Sequence, residues 1–201
     1  VQLFSILASN SGLLALIAEI VGTAPRLADL LTRRPRVIDA LLDPAFFGDL
    51  PDEDELADRL QVSFAEARSY EDVLDRARIF GQEQIFLIGV RILTGTVSPE
   101  DAGEAYARLA GVLLRALFAR VEAEFVAAHG RIPGGEAAVV GMGKLGGREM
   151  TASSDLDLML LYDMPEDADM SDGPKPLMGA QYYARLTQRL IAALSAPTAE
   201  G

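Results

Sequence analysis

Leu13, Leu14, Ile17, Ile20 and Val21 recur at three- and four-residue intervals, the spacing of one face of an α-helix. Asn10 stands where an N-cap belongs, and the helix should run to about Val21. Thr23 before Ala24 and Pro25 signals the next start, and Pro35 breaks that helix. Asp43-Pro44 and Leu50-Pro51 bracket a loop. The run PDEDEL then puts acids in the first turn of a third helix, where the dipole favours them. SYEDVLDRARIFGQEQIFLIGVRILTG reads as one long amphipathic helix with Val73, Leu74, Ala77 and Phe80 along one stripe and Gly95 as its stop. Ser98-Pro99-Glu100-Asp101 opens another, with Leu109, Val112, Leu113, Leu117 and Val121 facing inward and His129-Gly130 at its end. Residues 1 to 129 carry no strand signal.

The period changes at RIPGGEAAVVG. Pro133, Gly134 and Gly135 make a turn, and strands are expected at about 136 to 141 and from Leu156 to Tyr162. The polar loop DMPEDADMSDGPKP follows, then a helix of about 177 to 195 with Leu186, Leu190, Ile191 and Leu194 apolar. Only eight residues, Arg148 to Asp155, lead up to the second strand, and TASS is a poor helix interior. Parallel strands need a crossover of about a dozen residues or more, so the two strands should be antiparallel or otherwise close neighbours.

Composition narrows the class. The chain has 201 residues, half of them hydrophobic, enough for a real core. Thirty acidic against 18 basic residues give a formal charge of −12, which argues against bulk binding to nucleic acid or to an anionic membrane. The absence of cysteine excludes disulfides and thiolate metal sites and suits a cytosolic protein. The apolar opening lacks a basic n-region and is interrupted by Ser9, Asn10, Ser11 and Gly12, so it is neither a signal peptide nor a membrane span. A first residue of Val points to a piece of something longer.

Chemistry concentrates in GMGKLGGREMTASSDLDLMLLYD, residues 141 to 163. Gly141, Gly143 and Gly146 spell the dinucleotide fingerprint, but the short gap leaves no room for the crossover helix that a Rossmann unit needs. Lys144 precedes Gly146, whereas a P-loop wants its Lys after the last Gly and before Ser or Thr. Asp155 and Asp157 are two residues apart, so on a strand their carboxylates share a face and can hold divalent cations; Leu156, Leu158 and Leu160 would point into a core. Alternation alone produces most bare D-x-D pairs on half-exposed strands. The combination is rarer: glycines whose N–H groups can converge on an anion, Ser153 and Ser154 hydroxyls before the acids, and Lys144 to neutralise a phosphate.

A Gly-rich turn after a strand, followed by D-x-D, resembles the nucleotidyltransferases of the DNA polymerase β superfamily. More closely, GMGKLGGREMTASSDLDLMLLYD, RVIDALLDPAFF, SYEDVLDRARIFGQEQIF, GAQYYARLTQRLIAAL and SAPTAEG resemble the glutamine synthetase adenylyltransferase family, over nearly the whole chain. The resemblance implies an α+β fold: a helical region at 1–130 and, at 131–201, the start of a nucleotidyltransferase mixed sheet with flanking helices. It implies ATP as substrate, with phosphates on Gly141, Gly143, Lys144, Gly146 and Gly147 and on Ser153 or Ser154. It implies Mg²⁺ on Asp155 and Asp157, which are then the catalytic carboxylates, and a tyrosine of glutamine synthetase as acceptor. A third carboxylate is expected beyond Gly201, so the piece should be inactive alone. The PII signal protein is a further partner by resemblance, and the cytoplasm the location. REMTASSDLDL looks more like the adenylylating, C-terminal half, while the deadenylylating half shares the G-K-L-G-G and S-D-x-D core. A non-catalytic regulatory piece is the third alternative.

Other polar residues read more plainly. His129 ends a helix, a structural or solvated position. Glu166, Asp167, Asp169 and Asp172 form a solvated loop. Arg76, Arg78 and Arg91 on the long helix should pair with its many acids.

Overall fold

The computed structural model describes residues 11–166 and 168–195. The expected Asn10 cap, Asp167 of the acidic loop and the residues after Ser195 lie outside them. In chain order the elements are α1 (Ser11–Thr23), α2 (Pro25–Arg33), α3 (Val37–Leu41), a 3-10 turn (Pro44–Phe47), α4 (Glu53–Ala65), α5 (Tyr70–Leu93), α6 (Pro99–His129), β1 (Glu136–Gly141), α7 (Gly143–Gly146), β2 (Leu158–Asp163) and α8 (Gly179–Ser195). The fold is mostly helical α+β, as the periodicity implied.

Helix starts follow from capping chemistry. Asp52 accepts from Glu55 N at 2.9 Å, Ser69 from Asp72 N at 3.1 Å and Ser98 from Asp101 N at 3.1 Å, each satisfying an otherwise orphaned donor. Asp72 also accepts from Arg68 N at 2.9 Å and from Arg76 Nε at 3.1 Å. The Arg68 backbone N–H, reinforced by Arg76, holds its carboxyl below the usual carboxylate range. A depressed folded-state pKa favours the native chain above the ordinary aspartate value, and that contribution disappears as pH falls through the depressed one. Asp72→Asn should therefore flatten the acid limb of a stability–pH profile measured by urea unfolding; an unchanged limb would assign the acid sensitivity to other groups.

α5 is the structural spine. Val73, Leu74, Ala77, Phe80 and Ile88 join a large core with α4, α6 and α8. Phe86 and Val90, both fully buried, face a second cluster with Leu13, Ile20, Val37, Ile38, Leu41 and Phe46. A helix apolar on more than one side is buried on more than one side. Arg76 pairs as expected, with Asp72 at 3.1 Å and Glu66 at 3.0 Å. Arg78 donates to the Ala193 carbonyl at 3.3 Å, tying α8 to α5. Arg91 departs from expectation. It is only 6% exposed, its guanidinium lies over the Phe46 ring at 4.9 Å, and its Nη1 has no hydrogen-bond partner. The 3-10 turn folds over that end of α5, where Asp43, Asp49 and Glu55 line the same cavity as Arg91 without bonding to its Nη1.

The large core crosses the boundary drawn at residue 130: Ile132, Met150, Leu177, Tyr182, Tyr183 and Leu186 belong to it. Tyr182 donates to the Gly130 carbonyl at 3.0 Å and stands edge-on to Phe125, fixing α8 against the end of α6. His129 is structural, with Nδ1 2.7 Å from the Lys175 carbonyl and its ring against Phe125. Asp172 closes the same junction by accepting from Arg131 N at 2.7 Å, so it serves the loop rather than a cation.

β1 and β2 form an antiparallel pair, with Glu136 opposite Asp163 and Gly141 opposite Leu158. No helical crossover joins them, which removes the dinucleotide-binding alternative. Ala137, Val139, Leu158 and Leu160 are half-buried, while Ala138, Val140, Met159 and Leu161 are exposed.

Candidate functional site

The Gly-rich turn and the two acids meet where the hairpin opens. Beyond the last ladder pair, Met142 N still donates to the Asp157 carbonyl at 2.8 Å. The backbone then turns sharply at Gly143, whose φ of 52° is left-handed. A Cβ there would stand 2.7 Å from Asp157 Oδ2, so the missing side chain is what lets the carboxylate lie against the turn. Gly146 is needed for a second close approach: a Cβ would meet the Gly141 carbonyl oxygen at 2.7 Å. Gly147 N bonds to Gly143 O at 2.9 Å and Glu149 N to Lys144 O at 3.0 Å, closing the turn. Arg148 leaves it with a φ of 58°, the only non-glycine with positive φ among the described residues. Such a conformation costs energy and recurs at functional turns. Buried Met150 then anchors the chain before TASS.

Two expectations need correcting. Asp155 and Asp157 are not strand residues: β2 begins at Leu158, and both acids occupy the extended stretch before it. Leu156 does not enter the core, being 40% exposed. The physical reason is shared. The ladder ends at Gly141 because the chain turns into α7, leaving residues 155 to 157 held by the single Met142–Asp157 bond. No third strand among the described residues covers that side.

Asp157 and Gly143 are thus brought together. Ser154 is turned inward, its Oγ accepting from Thr151 N at 2.9 Å and lying 3.1 Å from Thr151 Oγ1. Lys144, Ser153 and Asp155 are exposed. None of Lys144, Asp155 and Asp157 has an ion-pair partner among the described residues. Two partnerless carboxylates are hard anionic donors of the kind Mg²⁺ takes. They are also an incomplete set, since no three His, Asp or Glu side chains among the described residues are placed to share an ion.

One adjoining feature escaped sequence reasoning. A mostly apolar groove of about 520 Å³ runs between α5 and α6, with Thr151, Ser154 and Leu156 on one wall. Tyr106 lies at its floor, its hydroxyl pushed up to about 12 by burial and therefore neutral at any working pH. The available signal was Ala77 and Gly81 on α5 facing Ala110 on α6, small residues at helical spacing that leave room between the helices.

No described helix is long and apolar enough to cross a membrane. Residues 14–201 match the family model described as glutamate-ammonia ligase adenylyltransferase. The chain is 57% identical over 201 residues to a protein of Mesorhizobium japonicum named bifunctional glutamine synthetase adenylyltransferase/adenylyl-removing enzyme. Proteins of the same name from Bradyrhizobium sp. (strain ORS 278) and Brucella suis biovar 1 are each 54% identical, over 200 and 201 residues. All of this chain is covered in each comparison, and it spans 20% of the length of each relative.

Proposed function

The chain belongs to the glutamate-ammonia ligase adenylyltransferase family, and from that premise we propose that it carries part of a nucleotidyltransferase site that moves AMP from ATP to a tyrosine of glutamine synthetase in the cytoplasm. The observation that carries this reading is the pair Asp155 and Asp157, without ion-pair partners among the described residues, beside a turn in which Gly143 lies against the Asp157 carboxylate and Gly146 against the Gly141 carbonyl, in a chain similar throughout to enzymes named for adenylyl transfer. The tyrosine hydroxyl gives up its proton to solvent, its oxygen attacks the α-phosphorus in line, the bond to the bridging oxygen breaks, and pyrophosphate leaves.

Asp155 and Asp157 would hold Mg²⁺, together with a carboxylate from outside this stretch, and the ion would supply Lewis acidity toward the acceptor hydroxyl and the leaving group. Lys144 adds a positive charge toward the phosphates. The Gly141–Gly147 backbone and the Ser153 and Ser154 hydroxyls offer neutral donors; Ser154 must exchange its bond to Thr151 to do so. Positioning and charge neutralisation are the main contributions that a protein makes to phosphoryl-type transfer. The PII signal protein is a partner of this reading, at a surface of the longer protein.

The relatives' name also includes adenylyl removal, which favours a second reading for the same residues: phosphorolysis of adenylyl-tyrosine. The test incubates the full-length protein with glutamine synthetase, Mg²⁺ and labelled ATP, and in parallel with adenylylated synthetase and phosphate. Substitution at Asp157 should remove only one of the two activities, and the one removed assigns the half. The 201-residue piece should give no transfer. Label reaching the synthetase from the piece as fast as from the whole protein would overturn the missing-carboxylate account.

A further inference from the structure

The apolar groove between α5 and α6 meets the end of α8. Ala193, Leu194 and Ser195, from the last turn of α8, line it, and Ser154 and Leu156 line it too. Ile85 of α5 and Leu113 of α6 also line it and are only half-buried. Gly81 keeps it open, since a Cβ there would stand 3.1 Å from Leu113 Cδ1.

The chain leaves the α8 axis at this point. A helix running on would bring the N–H of residue 197 to the Ala193 carbonyl. Residue 197 is Pro, which has no N–H and whose ring would clash with that carbonyl. Arg78, which also lines the groove, donates to the Ala193 carbonyl instead, from Nη2 at 3.3 Å. Residues 196–201, APTAEG, thus set out from the wall of the groove itself.

Their length and chemistry suit it. Along α5 the groove runs from Ala77 to Ile85, about 12 Å at the helical rise. Six extended residues reach about 20 Å. Ala196, Pro197 and Ala199 are small and apolar, and Pro197 has no donor to leave unsatisfied against apolar walls.

We propose that residues 196–201 lie along this groove as a strap that covers Ile85 and Leu113. The strap packs against Ser154 and Leu156 and so holds the stretch containing Asp155 to α5 and α6. This packing does not depend on the chemistry assigned to Asp155, and its test reads no activity.

The experiment is hydrogen exchange of the full-length protein, read by mass spectrometry. Amides of residues 198–201 should exchange at least about tenfold more slowly than in the free peptide APTAEG. Ala110→Leu fills the groove with apolar volume, and Leu113→Arg puts a charge in it. Each should abolish that protection and speed exchange in residues 151–156, with α4 and β1 unchanged. Ala110→Leu keeps the test decisive if Leu113→Arg misfolds. Free-peptide exchange of residues 198–201 in the wild type overturns the proposal, as does protection that both variants leave intact. Protection of the groove that fades on dilution would make a second copy the occupant. Protection lost on extraction with a hydrophobic resin would make it a free amphiphile. Either result also overturns the proposal.

Discussion

Asp157→Asn in the full-length protein should lower its adenylyl-transfer activity about a thousandfold while leaving its unfolding transition in place. The amide keeps the carboxylate's size, so it still fits against Gly143, where there is space for an oxygen but not for a Cβ. What it removes is charge. A neutral amide is a poor ligand for a hard dication, and losing an ion that stabilises developing charge raises the barrier by roughly 4 kcal/mol. Asp155→Asn should behave alike. Stability should not suffer, because neither carboxylate has an ion pair to lose among the described residues. The measurement is initial rate at saturating ATP, with urea unfolding alongside. A loss under tenfold of both adenylyl transfer and adenylyl removal, in both variants, would remove these acids from the metal site.

Phe86→Ala should destabilise the chain by about 3–5 kcal/mol, the range for truncating a buried aromatic. Phe86 has no exposed surface, and it is the largest fully buried side chain among the described residues. Its position on α5 makes the expected pattern specific. It faces the cluster formed with α1 and α3, while Leu74, Ala77 and Phe80 face the other core. If both cores share one cooperative transition, Phe86→Ala should lower the midpoint for probes in α8 as much as for probes in α1. Separate transitions would mean that α5 divides the two cores into independent units. A loss below 1 kcal/mol would show that α1 and α3 do not depend on this face of α5.

The helices were legible because their signals are local. α4, α5 and α6 start where PDEDEL, SYEDVL and Ser98-Pro99-Glu100-Asp101 marked them, and Pro25 opens α2. The direct pairing of the two strands was legible from the eight residues Arg148 to Asp155, too few for a crossover helix after the Gly-rich turn; that reading left the antiparallel sense as one of its outcomes, and the structure has it. What failed depends on neighbours. Alternation through D-L-D-L could not reveal that the ladder stops at Leu158, because the stop is set by the turn at Gly143 on the other strand. Arg91 looked like Arg76, a cation on a helix full of acids; only the chain folding back at Phe46 buries one and leaves the other pairing in solvent. The groove beside Ser154 is a gap between two helices, and a gap has no residue of its own to announce it.

The outward face of the hairpin bears on how the isolated 201-residue piece would behave in a tube. Ala138 lies opposite Leu161 and Val140 opposite Met159, and all four are exposed. The formal charge of −12 keeps molecules apart at low ionic strength. That repulsion reaches only about 8 Å at physiological salt, whereas apolar contact survives salt or strengthens with it. Colloidal behaviour then passes from the acids to these four side chains as salt rises. Dilute buffer would favour dispersed molecules, and a salt-rich one would drive them together face to face.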